Sequence, residues 1–142
     1  MINIVIDSGI VVKWFTVEPY STETLRILNE YQLGNINLLA PDLLYSEFGN
    51  IIWKKCIFQG LVQSDAQLII DRFRRLHFSI TSSESLLDDA YKLAITYKRT
   101  VYDSLYLALS LREKCQFITA DEKFCNAMSP IFSNVVWIGN WP

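Results

Sequence analysis

Short apolar runs alternate with longer stretches of helical periodicity along this chain. The runs INIVI (2–6), NINLLA (35–40), HFSIT (77–81), CQFIT (115–119) and NVVWIG (134–139) read as strands. They are almost wholly apolar rather than alternating, as strands covered on both faces must be. Helical stretches with start signals lie between them. Ser21 precedes TETLRILNEYQ, Asp42 opens LLYSEFGNIIWKKCIFQ, Ser83 precedes ESLLDDAYKLAITYK and Thr100 precedes VYDSLYLALSLREK. Ser64 and Gln67 are spaced as a capping box ahead of LIIDRFRRL. Strands alternating with helices predict right-handed crossovers and an α/β fold, a parallel sheet between helical layers.

That architecture directs attention to the carboxyl ends of the strands, where open α/β sheets bind their ligands. Asp7 directly follows INIVI, and Asp121 follows QFIT by one residue. Either aspartate alone fits an ordinary cap or turn. Asp103 stands three residues after Thr100, so it too fits a helix start, where the dipole favours a carboxylate. Glu47 is harder to explain that way. It follows Leu43 and precedes Ile51 at four-residue steps, beside the row Leu44, Phe48 and Ile52. Residues four apart share a helix face, so Glu47 interrupts an apolar one. An unpaired carboxylate there must protonate or find a cation.

If these four acids converge, their repulsion has to be managed. At about 4 to 6 Å and an effective dielectric near 20, each like pair costs roughly 3 to 4 kcal/mol. A hard divalent ion resolves this, and an all-oxygen ligand set selects Mg²⁺ or Mn²⁺ over zinc. The single histidine, His77, opens an inferred strand, and no Cys/His set has zinc spacing. The phosphate loop G-x-x-x-x-G-K-[ST], the dinucleotide motif G-x-G-x-x-G and the G-x-S-x-G elbow are all missing.

Composition narrows the frame. The chain has 142 residues, 51% of them hydrophobic and 20% charged, which suits one folded domain spanning 1–142. No apolar run nears the roughly 18 residues of a membrane helix. MINIVID lacks the basic start of a signal peptide. Three cysteines without a C-x-x-C spacing suit reduced thiols and a cytoplasmic setting. A net charge of −2 excludes a surface that attracts nucleic acid everywhere, so any such contact must be local.

In order, VIDSGIVVKWF, APDLLYSEFGNIIWK, TVYDSLYLALSL and FITADEKF resemble a PIN-domain ribonuclease. Within that family the chain is most similar to VapC-type toxins of toxin–antitoxin pairs. YDSLYLALS and TADEKF are the most specific segments, and the resemblance covers nearly the whole chain. It implies a three-layer α/β/α sandwich with a central parallel sheet and Mg²⁺- or Mn²⁺-dependent cleavage of RNA. By motif position it makes Asp7, Glu47, Asp103 and Asp121 the acidic quartet, with Asp7 and Asp103 as the main direct metal ligands. Thr119 and Ser8 support them. Two departures stand out. Many members carry two small or hydroxyl residues after the first aspartate, whereas this chain has Ser8–Gly9, and Gly9 is expected to loosen that turn. Some members add a fifth acid near the fourth, for which Glu122 is the nearest candidate.

RNA contact is assigned to two bases beside aromatics, Lys13 (with Trp14 and Phe15) and Lys54 (with Trp53), and to the basic Arg99. RFRR at 72–75 reads instead as an exposed helix end. The resemblance further implies a homodimer and an antitoxin seated in an apolar groove, walled by LLYSEFGNIIWKKCIF and the 64–76 helix. Rival readings are an RNA-processing PIN nuclease without an antitoxin, an inactive PIN-fold interaction module, and a phosphatase or receiver domain. The last two folds need D-x-D after the first strand, or an early acidic pair with a late lysine, and D-S-G supplies neither.

Overall fold

The computed structural model describes residues 1–141. Five strands form one wholly parallel sheet: β1 (Ile2–Ile6), β2 (Ile36–Pro41), β3 (Ser79–Thr81), β4 (Gln116–Thr119) and β5 (Val135–Trp137). Their order is β3-β2-β1-β4-β5. The chain steps outward from β1 to β3, then returns across the sheet to β4. The central pair β1–β4, in register Val5↔Phe117, is therefore a topological switch point.

Helices flank the sheet: α1 (Ser8–Val12), α2 (Ser21–Gln32), α3 (Leu43–Gln59), α4 (Gln63–Arg74), α5 (Ser83–Tyr97), α6 (Val101–Arg112) and α7 (Glu122–Met128), with a 3-10 turn at Ile138–Asn140. The result is the expected α/β sandwich. Val5, Ile6, Leu38, Leu107, Leu109 and Ile118 form its solvent-free centre. α6 explains the greasiness of its segment. Residues Ser104 to Ser110 are all buried, because β1, β2 and β4 pack on one side of α6 and α5 on the other.

The structure departs from the sequence pattern at the ends of elements. α1 and α7 were not expected, being too short at 5 and 7 residues to show a period. The third strand starts at Ser79, not 77, and His77 is an exposed loop residue whose N–H donates to the Tyr31 hydroxyl. Ser64 and Gln67 form no capping box, because α4 begins at Gln63 behind Val62, and Gln67 donates to Asp71 instead. Asp42 stands at the start of α3 but turns away from it, accepting from the Ser83 N–H at 3.1 Å and tying α3 to α5. The basic run at 72–75 does close α4, as the dipole favours.

Candidate active site

Four carboxylates from four elements line one cleft of about 310 Å³ at the switch point. Asp7, Glu47, Asp103 and Asp121 meet there with Ser8, Gly9, Tyr106 and Ala120. Asp7 ends β1 and caps α1, with Oδ1 accepting the Ile10 N–H at 3.0 Å. Oδ2 accepts from the Thr119 hydroxyl at 2.5 Å and from the Ala120 N–H at 3.3 Å. Asp121 caps α7 through Oδ1, accepting the Phe124 N–H at 3.0 Å. Cap and cleft are thus the same residue at both strand ends. A carboxylate that stops a strand and starts a helix necessarily stands at the carboxyl edge of the sheet.

Thr119, buried at the last position of β4, connects the two. Its hydroxyl donates to Asp7 and accepts the Asp121 N–H at 3.0 Å. Asp103 does not cap α6. The Thr100 hydroxyl does so by accepting the Asp103 N–H at 3.1 Å, which leaves the Asp103 carboxylate to the cleft. On α3 the row Leu44, Phe48, Ile52 enters the core, while Leu43, Glu47 and Ile51 form its half-buried border. Glu47 Oε1 accepts from the Tyr106 hydroxyl at 2.6 Å and from the Ser8 hydroxyl at 3.4 Å.

The electrostatics follow from burial and crowding. Desolvation pushes the Asp7 carboxyl up to about 6, against the pull of Thr119, Ile10 and Ala120; the Glu47 charge adds to the rise. Burial raises Glu47 too, opposed by the Tyr106 and Ser8 hydroxyls and reinforced by Asp103. Asp103 is raised by burial and then by Asp121, with Thr100 and Arg99 holding it down. Burial and the Glu47 carboxylate keep the Tyr106 phenol protonated far above its ordinary range. Asp7, Glu47 and Asp103 therefore each resist ionisation, chiefly through burial and further through a neighbouring carboxylate.

The donor set, carboxylate and hydroxyl oxygens, is the kind that takes Mg²⁺ or Mn²⁺. Among the described residues, no three acidic, His or Cys side chains are grouped closely enough to hold an ion as they stand. The residues fit a hard cation by chemistry and by unrelieved repulsion, with the carboxylates still apart.

Two expectations change. Gly9 does not loosen its turn: a Cβ there would lie 3.0 Å from the Ala120 Cβ, so glycine lets α1 press against the β4–α7 junction. Glu122, the first residue of α7, is exposed and lies outside the cleft. Tyr106 escaped the sequence reading, although it stands one helical turn beyond Asp103 in YDSLY. The basic candidates separate. Lys13 is engaged by Glu18 at 3.6 Å, which also holds Lys55 at 3.4 Å. The aromatics beside Lys13 turn inward, Trp14 donating to the Thr24 carbonyl at 2.7 Å and Phe15 packing on Phe48. Lys54 is exposed next to Trp53, itself 53% exposed. Arg99 lies beside Asp103, and among the described residues its buried Nε has no hydrogen-bond partner.

An acidic cleft at the switch point of a parallel sheet places the chain among α/β folds with a site at the carboxyl ends of the strands, and comparison with known proteins gives the family. The PIN domain model matches residues 4–128, and the chain belongs to that family. It is 26% identical over 136 residues to ribonuclease VapC3 of Pyrobaculum aerophilum, covering 90% of this chain and 99% of that one. The fold is similar to that in the crystal structure of VapBC2 from Rickettsia felis bound to a DNA fragment from its promoter. There the TM-score is 0.67 at 14% identity, over 96% of this chain and 97% of the other. A toxin–antitoxin complex from Klebsiella pneumoniae gives a TM-score of 0.57 at 13% identity, over 93% and 94%.

Proposed function

We propose that this protein is a divalent-metal-dependent endoribonuclease, the toxin of a toxin–antitoxin pair. The observation that carries the reading is the convergence of Asp7, Glu47, Asp103 and Asp121 on one cleft. When bound, Mg²⁺ or Mn²⁺ there supplies an activated water and neutralises charge on the scissile phosphate. The chain's own residues prepare for that. Asp7, gripped by three donors, and Asp103, left free by the Thr100 cap, are the direct ligands. Glu47 and Asp121 complete the set or orient the water. Arg99 and the exposed Lys54–Trp53 pair contact the RNA, Arg99 at a phosphate and Trp53 by stacking on an unpaired base. Lys13 is held by Glu18, so the RNA reading rests on the other two.

The family supports an antitoxin partner, and a slot of about 510 Å³ between α3 and α4 offers a place for it. Tyr45, Phe48, Gly49, Ile70, Phe73 and Arg74 line this slot, within the walls expected from the sequence. The exposed row Leu87, Tyr91 and Ile95 on α5 supports self-association as a homodimer. Among the described residues no helix is long and apolar enough to cross a membrane. The cysteine spacing in the sequence supports a cytoplasmic setting.

The test is RNA cleavage by the purified chain with and without Mn²⁺. Cleavage that EDTA abolishes, that Mn²⁺ restores and that Asp103→Asn lacks supports the reading. A folded wild type that leaves RNA intact in Mn²⁺ overturns it in favour of an inactive interaction module.

A further inference from the structure

Tyr106 is 2% exposed, yet its hydroxyl belongs to the cleft. A buried phenol needs a hydrogen-bond partner, and this one donates to Glu47 Oε1 at 2.6 Å. The ring is fixed from behind. It lies nearly parallel to Phe117 on β4, with centroids 5.8 Å apart and planes inclined by 10°. The Ser8 hydroxyl donates to the same Glu47 oxygen at 3.4 Å. Both hydroxyls therefore occupy Oε1. Among the described residues, no protein hydrogen bond is made to Oε2.

We infer that Tyr106, with Ser8, is the positioning residue for Glu47: two hydroxyls clamp one carboxylate oxygen and present the other to a cation in the cleft. The inference rests on the metal-dependent reading proposed above and extends it to a residue that touches neither ion nor RNA. A free glutamate loses its side-chain rotamers when it binds an ion. One already held at Oε1 has lost them on folding, so binding no longer bears that entropy cost. The clamp also joins three elements, α1 through Ser8, α3 through Glu47 and α6 through Tyr106. The carboxylate is thereby set against Asp7 and Asp103, which sit on the first and last of these.

The experiment is calorimetric titration of the RNA-free protein with Mn²⁺ alone, with thermal unfolding to confirm the fold of each variant. Tyr106→Phe keeps the ring and its stack on Phe117 and removes only the hydroxyl. Its Mn²⁺ dissociation constant is expected to rise about 10-fold, as for loss of an outer partner of a metal ligand. In a Glu47→Ala background the same substitution is expected to change the constant by less than about 2-fold, because the two act as one unit. Ser8→Ala is expected to show a smaller loss, likewise erased without Glu47. It serves as the second probe if Tyr106→Phe does not fold. Unchanged Mn²⁺ affinity in both hydroxyl variants overturns the inference, as does an equal loss with and without Glu47. A folded wild type that binds no Mn²⁺ overturns the metal-dependent reading and this inference together. That outcome is distinct from a wild type that binds and a phenylalanine variant that binds equally well.

Discussion

The two ends of the sheet differ in a way that cavity size conceals. At the amino ends of the strands, Ile2, Asn3, Ser110, Cys115, Gln116 and Asn134 help to line a depression of about 780 Å³. The acidic cleft at the carboxyl ends holds about 310 Å³. The larger space is chemically settled. Asn134 donates to the Ser110 hydroxyl and to the Cys115 carbonyl, each at 3.0 Å, and Ser110 donates onward to the Leu107 carbonyl at 2.7 Å. Burial raises the Cys115 thiol, which keeps it un-ionised and poorly nucleophilic. The smaller space concentrates like charges, with Arg99 acting on Asp103 and no cation among the main influences on Asp7 or Glu47. Unresolved charge, more than volume, distinguishes the acidic cleft from the larger groove.

The largest expected effect sharpens this contrast. Asp7→Asn should lower Mn²⁺-dependent RNA cleavage by more than about 100-fold, beyond the usual loss for an outer partner. Asn134→Ala at the opposite end should leave cleavage nearly unchanged while lowering the melting temperature. Cleavage rates and thermal unfolding, measured on both variants, check the pair.

The second effect concerns pH. The Asp7 carboxyl is raised from 3.8 to about 6 on folding, so between those values the native state binds more protons than the unfolded one. Stability of the metal-free protein should therefore fall as pH rises from about 4 to about 6, by up to about 3 kcal/mol from this group. Asp7→Asn should flatten that fall. Added Mn²⁺ should restore stability at pH 7, because an ion bound only by the native state shifts the equilibrium. Urea unfolding across the pH range, with and without the ion, reads both. A wild-type curve that is flat or rising over this interval would contradict the burial argument.

Smaller effects probe the edges of the cleft. Gly9→Ala places a methyl group 3.0 Å from Ala120, where a neighbour must shift. The expected cost is about 1 kcal/mol of stability, with a several-fold drop in cleavage from the displaced Asp7–Ala120 contact. The smallest effect is at the rim. Lys54→Ala should raise the KM for RNA about 2-fold and slightly reduce its salt dependence, leaving kcat unchanged. Lys13→Ala should instead act on stability, through the loss of its pair with Glu18.

Much of this was legible without coordinates. The apolar runs gave five strands in order: the central β2, β1 and β4 are covered on both faces and have no polar face to blur them, while the edge strand β3 is largely exposed and was read two residues too long. The position of Asp7 and Asp121 at the ends of such runs placed them at the ligand-binding edge. Glu47 announced itself by interrupting an apolar helical face. The short helices α1 and α7 were hidden, since fewer than two or three turns leave no readable period. Ser64 and Gln67 misled because a capping box needs the cap residue outside the helix, and the chain turned into α4 two residues earlier than that box requires, at Gln63.

The sequence by itself determined the alternation of strand and helix and the identity of the acids, because both depend on local pattern and on the cost of burying charge. Only the tertiary structure decided that Thr119 would bridge Asp7 to Asp121, that Tyr106 would reach Glu47 across 59 positions of chain, and that Lys13 would be spent on Glu18. Hydroxyls and ammonium groups carry no sequence signal for their partner. They take whichever acceptor the packing of distant helices brings within about 3 Å, and that distance is set by the whole fold at once.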